Sequence, residues 1–302
     1  MPRSSPARHA REDKSTCSRI VGHAHATSRS LVRSEALVAQ REMSSSDQNP
    51  DPSPASGTTG GEPSPPGRPT AVSSQVLDMG AQMAQALKPV RQMKLHACSF
   101  ALYAHDLQRQ MEVHHFLSRL NQDVVQCAVY DSDKPSARLI GACAPPLLLR
   151  VEYIVSDTIF EGLPPEEQKL WHSHAYEVKA GLWTAVGVPE ALQSSEMASL
   201  AKTYGKFWCT WQVDRGDALP LGAPALMVSP QAAEPGRARG ELVRSRDERY
   251  EVDTSAGGIK AARVEMDEPE CINPNADYWR QHGKGLAVDV VPAEMKRHAP
   301  FP

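Results

Sequence analysis

The pattern of apolar and polar positions is clearest between residues 95 and 213. Short segments rich in β-branched and aromatic residues follow one another there, separated by polar turns such as DSDKPS. This pattern is typical of β-strands. We therefore predict strands over LHACSFALY, MEVHHFLSRL, DVVQCAVYD, ARLIG and VEYIVSD, and a further half-buried strand over KFWCTWQVD, in which Phe207, Cys209, Trp211 and Val213 alternate on one face.

Two helices are predicted between and after these strands. Pro165, followed by Glu166 and Glu167, has the composition of a first helical turn. A second helix should begin at Pro189 and end at Gly205, a residue type common just beyond helix ends. The predicted fold class is α+β: a mostly antiparallel sheet with helices packed on one side.

A separate apolar stripe precedes the first strand. Val72, Val76, Met79, Met83 and Leu87 recur at helical spacing. Such a helix either lies on a lipid surface or packs on its own domain. Its polar face carries Gln, Ser and Asp rather than Lys and Arg, which favours packing on the domain.

Composition divides the chain into three parts. Residues 1–70 are predicted to be disordered, since 17 of the 28 residues in 43–70 are Pro, Gly or Ser. Residues 1–42 are rich in Arg and Ser, and are either a transit peptide or additional residues upstream of a true start at Met43. We expect one folded α+β domain over 71–250 and an irregular C-terminal extension over 251–302.

Charge and motifs exclude several classes of function. A net charge of −3 in 302 residues gives no basic surface for nucleic acid. No apolar run approaches the ~18 residues that a transmembrane span requires. The six cysteines are scattered, which is typical of free thiols in a reducing compartment. Neither a phosphate-binding glycine loop nor a nucleophile motif is present, so no catalytic or cofactor-binding residue is assigned.

One histidine-rich segment predicts a candidate site for a divalent metal ion. His172 and His174 on a strand would share one face, and Glu177 follows closely. A further ligand would come from His96 or His105, or from His114 or His115. The last two are adjacent on a strand and point to opposite faces, so at most one reaches a given site. The alternative is that the histidines form hydrogen bonds within a polar layer of the core.

Several long blocks resemble the oil body-associated proteins, a plant seed lipid-droplet family within a domain-of-unknown-function family that has bacterial members. The resemblance covers about residues 90–250 and includes ALYAHDLQRQMEVHHFLSRLNQDVVQCAVYDSDKPSARLIG, VEYIVSDTIFEGLPPEEQKLWHSHAYEVKAGLW and TYGKFWCTWQVDRGDALPLGAPALM. It implies a non-enzymatic protein on the cytoplasmic side of the oil body surface. Such a protein contacts lipid or coat proteins and contributes to droplet stability or size in seeds and embryos. The alternative is a metal-dependent enzyme or small-ligand binder that uses the His/Glu cluster.

The sequence departs from the family pattern at residues 142–150, ACAPPLLLR. The resemblance implies that ARLIG continues directly into a branched residue and EYI, as one strand. Two prolines cannot donate to a sheet ladder, so the insertion should loop out. Its composition suggests the translated end of a retained intron.

Overall fold

Antiparallel strands form the centre of the computed structural model, which describes residues 65–141, 152–267 and 269–294. The strands are β1 (Leu95–Tyr103), β2 (Asp106–Arg119), β3 (Val124–Tyr130), β4 (Leu139–Gly141), β5 (Glu152–Ser156), β6 (His172–Ser173), β7 (Thr184–Ala185), β8 (Thr203–Cys209) and β9 (Ala225–Val228). The helices are α1 (Val72–Ala84), α2 (Lys88–Arg91), α3 (Asp157–Glu161), α4 (Pro165–Gln168), α5 (Ala175–Lys179), α6 (Glu190–Leu200), α7 (Gly240–Tyr250), α8 (Ile259–Ala262) and α9 (Tyr278–His282), and a 3-10 turn covers Val213–Arg215. Residues 1–64 of the lead predicted to be disordered and the insertion 142–150 lie outside the described residues.

The sheet closes on itself as a barrel. β2 pairs with β1, β1 with β9, β9 with β8, β8 with β5, and β5 with β3, which pairs back with β2. The predicted antiparallel pairing and α+β composition are confirmed, but the predicted open sheet with helices on one side is wrong. β2 spans 14 residues and pairs with β1 and β3 along its two edges. Closure leaves these strands without the unpaired edges of an open sheet.

Alternate residues of the barrel strands fill the interior, as the two-residue period of a strand requires. They form the largest apolar cluster, which includes Ala97, Ala101, Tyr103, Met111, Val113, Leu117, Val125, Cys127, Val129, Ile154, Phe207 and Met227. The opposite faces are covered in three separate places: near α3 around Phe160, near α7 around Leu242, and near α9 around Trp279. Helices and the chain after 251 therefore pack against several sides of the barrel.

The segment after residue 251 contributes a buried cation. The Arg263 side chain is buried, and its guanidinium donates to the carbonyl oxygens of Val178 (2.7 Å) and Trp183 (2.8 Å). The same group pairs with the Glu190 carboxylate at 2.6 Å. These contacts join α8 to α6 and to the loop around α5.

The boundary between α6 and β8 corrects one prediction. The helix begins after Pro189, as predicted, but it ends at Leu200, and β8 starts at Thr203. Gly205 therefore lies inside a strand, between Ile154 of β5 and His172 of β6. Glycine in a strand permits the close approach of other groups, which is its role here.

Strands β4 and β5 lie in line along β3. Gly141 pairs with Val129, and Glu152 pairs with Cys127. On β3, the two paired residues Val129 and Cys127 are separated only by Ala128. One residue is therefore enough to connect Gly141 to Glu152 in an unbroken strand. Removing the nine residues 142–150 would leave one residue, Val151, in that place. The register therefore matches the continuous strand that the family resemblance implies.

Helix α1 makes little contact with the rest of the described chain. None of its residues is buried, and the exposed fractions of Val72, Val76, Met79 and Met83 are 75%, 58%, 59% and 90%. The expectation that this helix packs on its own domain is therefore wrong for the described residues. None of the described helices is long and apolar enough to cross a bilayer.

Candidate metal centre

The candidate centre is built around Glu152, the first residue of β5. Its position in the strand directs the side chain to the same face as Ile154, which belongs to the barrel core. The Glu152 side chain is 2% exposed. A carboxylate in such a place needs polar partners, because isolated burial of a charge is very unfavourable.

Histidines from the segment 172–174 supply these partners. His172 Nε2 lies 3.2 Å from Glu152 Oε1, and His174 Nε2 lies 3.5 Å from the same oxygen. His172 belongs to β6, and His174 is the residue before helix α5. The one-residue spacing places both imidazoles on the same side, as the sequence predicted.

The hydrogen bonds of Thr203 fix the tautomer of neutral His174. The Thr203 hydroxyl donates to the Leu200 carbonyl oxygen at 2.7 Å. Its oxygen lies 2.8 Å from His174 Nδ1, so it accepts the Nδ1–H. The lone pair of neutral His174 is then on Nε2, the atom nearest Glu152, and this atom has no hydrogen-bond partner in the described chain.

Gly205 allows three side chains to approach the backbone of β8 closely. A Cβ atom placed on Gly205 would lie 2.6 Å from each of Glu152 Oε1, His172 Nε2 and His174 Nε2. Three potential metal-binding atoms therefore converge above the Cα of Gly205 on the inner side of β8. The side chain of any larger residue at 205 would push them apart.

His115 approaches Glu152 from β2. Its Nδ1 lies 2.7 Å from Glu152 Oε2, which is an ion-pair distance, but the contact lacks hydrogen-bond geometry. The His115 ring packs on Trp183 with centroids 4.4 Å apart. Four buried polar atoms of the centre thus lack a hydrogen-bond partner in the described chain: His115 Nδ1, Glu152 Oε2, His172 Nδ1 and His174 Nε2.

The electrostatics of the centre favour an ionised Glu152. Burial by itself would raise its pKa, but interactions with His115, His172 and His174 outweigh burial and hold the pKa of Glu152 well below its usual value. Burial opposes the charged form of His172 as well, yet its contact with Glu152 raises the pKa of His172. The carboxylate therefore presents negative charge to the three imidazoles.

Glu177, the carboxylate that the sequence suggested as a ligand, has other partners. Its Oε1 accepts a hydrogen bond from Ser229 Oγ at 2.6 Å, and its Oε2 accepts one from Ser99 Oγ. The nearest histidine atom is His174 Nε2, 4.0 Å from Glu177 Oε1. Burial raises the pKa of Glu177. Glu177 therefore borders the centre, whereas Glu152 lies in it.

Comparison with known proteins establishes the family. Residues 87–266 match the family described as protein of unknown function DUF1264. Oil body-associated protein 2B of Zea mays is 85% identical over 260 residues, covering 86% of this chain and 100% of the relative. This chain belongs to the oil body-associated protein family. Oil body-associated proteins 2A of Zea mays and of Arabidopsis thaliana are 60% identical over 263 residues and 52% identical over 260 residues, each covering 86% of this chain and 100% of the relative. No solved structure matches this chain.

His114 lies outside the centre of this oil body-associated family member. It is adjacent to His115 on β2 and lies on the opposite face of the strand. Its Nδ1 lies 3.0 Å from His96 Nε2, and its Nε2 lies 3.0 Å from Glu112 Oε1. Arg249 also donates to Glu112 Oε1 at 2.6 Å. Since the guanidinium already supplies a cation at this carboxylate, the His114 cluster is a weaker candidate for a metal ion. As expected for adjacent strand residues, only His115 reaches Glu152.

The free space beside the centre is small. A cavity of about 10 Å³ is bordered by His115, Glu152, His172 and Glu177, among other residues. This volume is at the lower limit for one water molecule. This cavity beside the centre is too small for an organic substrate.

Glu152 was not among the predicted ligands, although the sequence contains a signal for it. Glu152 is the only charged residue of VEYIVS, and on a strand its side chain lies on the same face as that of Ile154. Acidic residues are almost never fully buried without partners. A carboxylate at an inward position of an apolar strand therefore indicates a buried polar site, and the histidine-rich segment nearby supplies its partners.

Proposed function

We propose that this protein associates with the oil body surface and contributes there to droplet stability or size without catalysing a reaction. The names of its relatives support association with oil bodies. The absence of space for an organic substrate beside the buried centre supports a non-enzymatic role. The structural observation that carries the proposal is the exposed apolar face of α1.

Helix α1 has the features of a helix that lies in a lipid surface. Val72, Val76, Met79 and Met83 share one face and are all more than half exposed. A polar side formed by Gln75, Asp78 and Gln82 adjoins that face. A helix with one apolar and one polar face lies in the plane of a lipid surface with its apolar side buried. Apolar contact should provide most of the attachment, because Asp78 is the only charged residue in the helix.

The lipid surface itself, rather than a coat protein, is the proposed docking partner, and it lies on the cytoplasmic side of the oil body. Exposed basic residues follow the helix at Lys88, Arg91 and Lys94. Their ammonium and guanidinium groups suit the phosphates of a phospholipid monolayer. A lipid surface can therefore take up both the apolar face of α1 and the cations that follow it.

Flotation with artificial droplets tests this proposal. The full chain is mixed with triacylglycerol droplets coated only with phosphatidylcholine, and the floating layer is assayed for protein. We expect the chain to float with them. If the chain floats only with native oil bodies and stays behind with protein-free droplets, direct lipid attachment is refuted and a coat protein is the partner. If it floats with neither, the association itself is refuted.

A further inference from the structure

We propose that the barrel interior binds one divalent transition-metal ion of the Zn²⁺ type through Glu152 Oε1, His172 Nε2 and His174 Nε2. The proposal does not depend on association with oil bodies. It rests on three observations: the spacing of the three atoms, the direction of the His174 lone pair, and the convergence of the three atoms above Gly205.

The spacing of the three atoms suits tetrahedral coordination. Zinc binds histidine nitrogen and carboxylate oxygen at about 2.0–2.2 Å, so neighbouring ligand atoms of a tetrahedron are about 3.3–3.6 Å apart. The distances from Glu152 Oε1 to His172 Nε2 and His174 Nε2 are 3.2 and 3.5 Å. All three atoms also lie 2.6 Å from the position that a Cβ of residue 205 would occupy, so they converge above the Cα of Gly205.

The unpaired His174 Nε2 indicates that a cation belongs between it and Glu152. His174 Nε2 carries a lone pair once Thr203 has accepted the Nδ1–H, and it faces a carboxylate oxygen rather than a donor. Two acceptors 3.5 Å apart in a dry core repel each other unless a proton or a metal ion lies between them. The Thr203 contact also orients the ring, as the partners of metal-bound histidines commonly do.

The position of the centre indicates a structural role for the ion. Glu152, His172 and His174 are at most 4% exposed by side chain. They come from β5 and from the segment 172–174, which joins β6 to α5, so one ion would link two distant segments of the chain. The adjacent cavity accommodates at most about one water molecule, which leaves room for a fourth ligand but not for a substrate.

Metal analysis of the full chain tests the proposal. Purified protein is stripped with a chelator, incubated with Zn²⁺, and passed through a desalting column before elemental analysis. We expect about one Zn²⁺ per chain. At a hundredfold excess of Zn²⁺ over Kd the melting temperature should rise by about 5–10 °C. Co²⁺ in the same site should give the strong visible absorption of tetrahedral coordination. Wild-type protein that retains no metal and shows neither effect would overturn the proposal.

Two matched histidine variants locate the ion. His174→Gln removes a proposed ligand, whereas His114→Gln changes an equally buried histidine on the outer side of β2. Glu152→Gln keeps the shape of the side chain and removes its charge. We expect zinc loss of at least tenfold in His174→Gln and Glu152→Gln, and none in His114→Gln. Loss of zinc in His114→Gln alone would assign the metal ion to the His114 cluster and refute the proposed site. If a core variant does not fold, the wild-type metal content and Co²⁺ spectrum still decide.

Discussion

Replacing two apolar residues of α1 should weaken lipid attachment without affecting the barrel. In the variant Val76→Ser/Met83→Ser, two side chains that are 58% and 90% exposed in the free protein lose their apolar character. Fully burying a valine or methionine contributes about 1.5–3 kcal/mol. Scaled by the exposed fractions, the pair contributes about 2–4 kcal/mol to insertion. At about 1.4 kcal/mol per factor of ten, partitioning onto droplets should fall by roughly 30- to 1,000-fold.

The assay is flotation of the full chain over a range of droplet concentrations, which gives a partition coefficient for each variant. The matched control is Gln75→Ser/Gln82→Ser, which makes the same number of changes on the polar face of the same helix and should partition like the wild type. Neither variant alters a buried residue. The unfolding free energies of the two variants, measured by urea denaturation, should therefore agree within about 0.5 kcal/mol. Equal partitioning of the two double variants would refute attachment through the apolar face.

Salt provides an independent check on the driving force. Apolar insertion is insensitive to ionic strength, whereas contacts between exposed charges are screened over about 10 Å at 0.1 M salt and 3 Å at 1 M. We therefore expect flotation on phosphatidylcholine droplets to persist in 1 M NaCl. Loss of flotation in salt, together with an unaffected Val76→Ser/Met83→Ser variant, would assign attachment to Lys88, Arg91 and Lys94 instead.

Three further predictions concern the barrel. Gly205→Ala should abolish zinc binding and lower the unfolding free energy by about 1–3 kcal/mol, because the new Cβ would lie 2.6 Å from three polar atoms. The control is Gly80→Ala, where the Cβ meets open space; this variant should retain one zinc per chain. Deleting residues 142–150 should preserve cooperative urea unfolding with an equal or higher unfolding free energy, since a shorter connection costs less entropy to close. Loss of cooperativity would show that the insertion is needed for folding. Arg263→Ala should cost about 3–5 kcal/mol in urea denaturation because it leaves buried partners unpaired. The exposed Arg237→Ala should change stability by less than about 0.5 kcal/mol.

Local periodicity was sufficient to predict the strands but not their closure. The segments around β1, β2, β3 and β5 have β-branched and aromatic residues at strand spacing, and the structure has strands there. The pairing that closes the barrel joins Leu102 to Val228, more than 120 residues away in sequence. A two-residue period states which face of a strand is apolar, but it does not state which distant strand lies beside it.

Gly205 shows where a local rule gave the wrong result. A glycine after a run of helical spacing commonly marks a helix end, and this rule extended α6 to residue 205. The structure places Tyr204 and Phe207 in a strand with Gly205 between them. The glycine is required by the close approach of two histidines and a carboxylate, a long-range contact that a local pattern does not contain.

The candidate centre was predicted in part for the same reason. The spacing of His172 and His174 and the alternation of His114 and His115 follow from strand geometry, and the structure brings three of these four histidines to Glu152. Glu177 was preferred because it is near in sequence. Its carboxylate is instead bound by Ser99 and Ser229, which are distant in sequence and which no local spacing connects to it.

The connection between α1 and the barrel suggests how a protein without catalytic activity would protect a droplet. Helix α1 ends at Ala84 and β1 begins at Leu95, so the ten residues 85–94 between them span at most about 35 Å. With α1 in the monolayer, the barrel would be held within that distance of the droplet surface. A folded domain of roughly 200 residues has a radius of gyration of about 16 Å and would cover an area about 40 Å across. A coat of such domains would keep droplet surfaces apart by steric contact. A metal ion inside the barrel would serve the same purpose indirectly, because only a barrel that stays folded remains a rigid spacer.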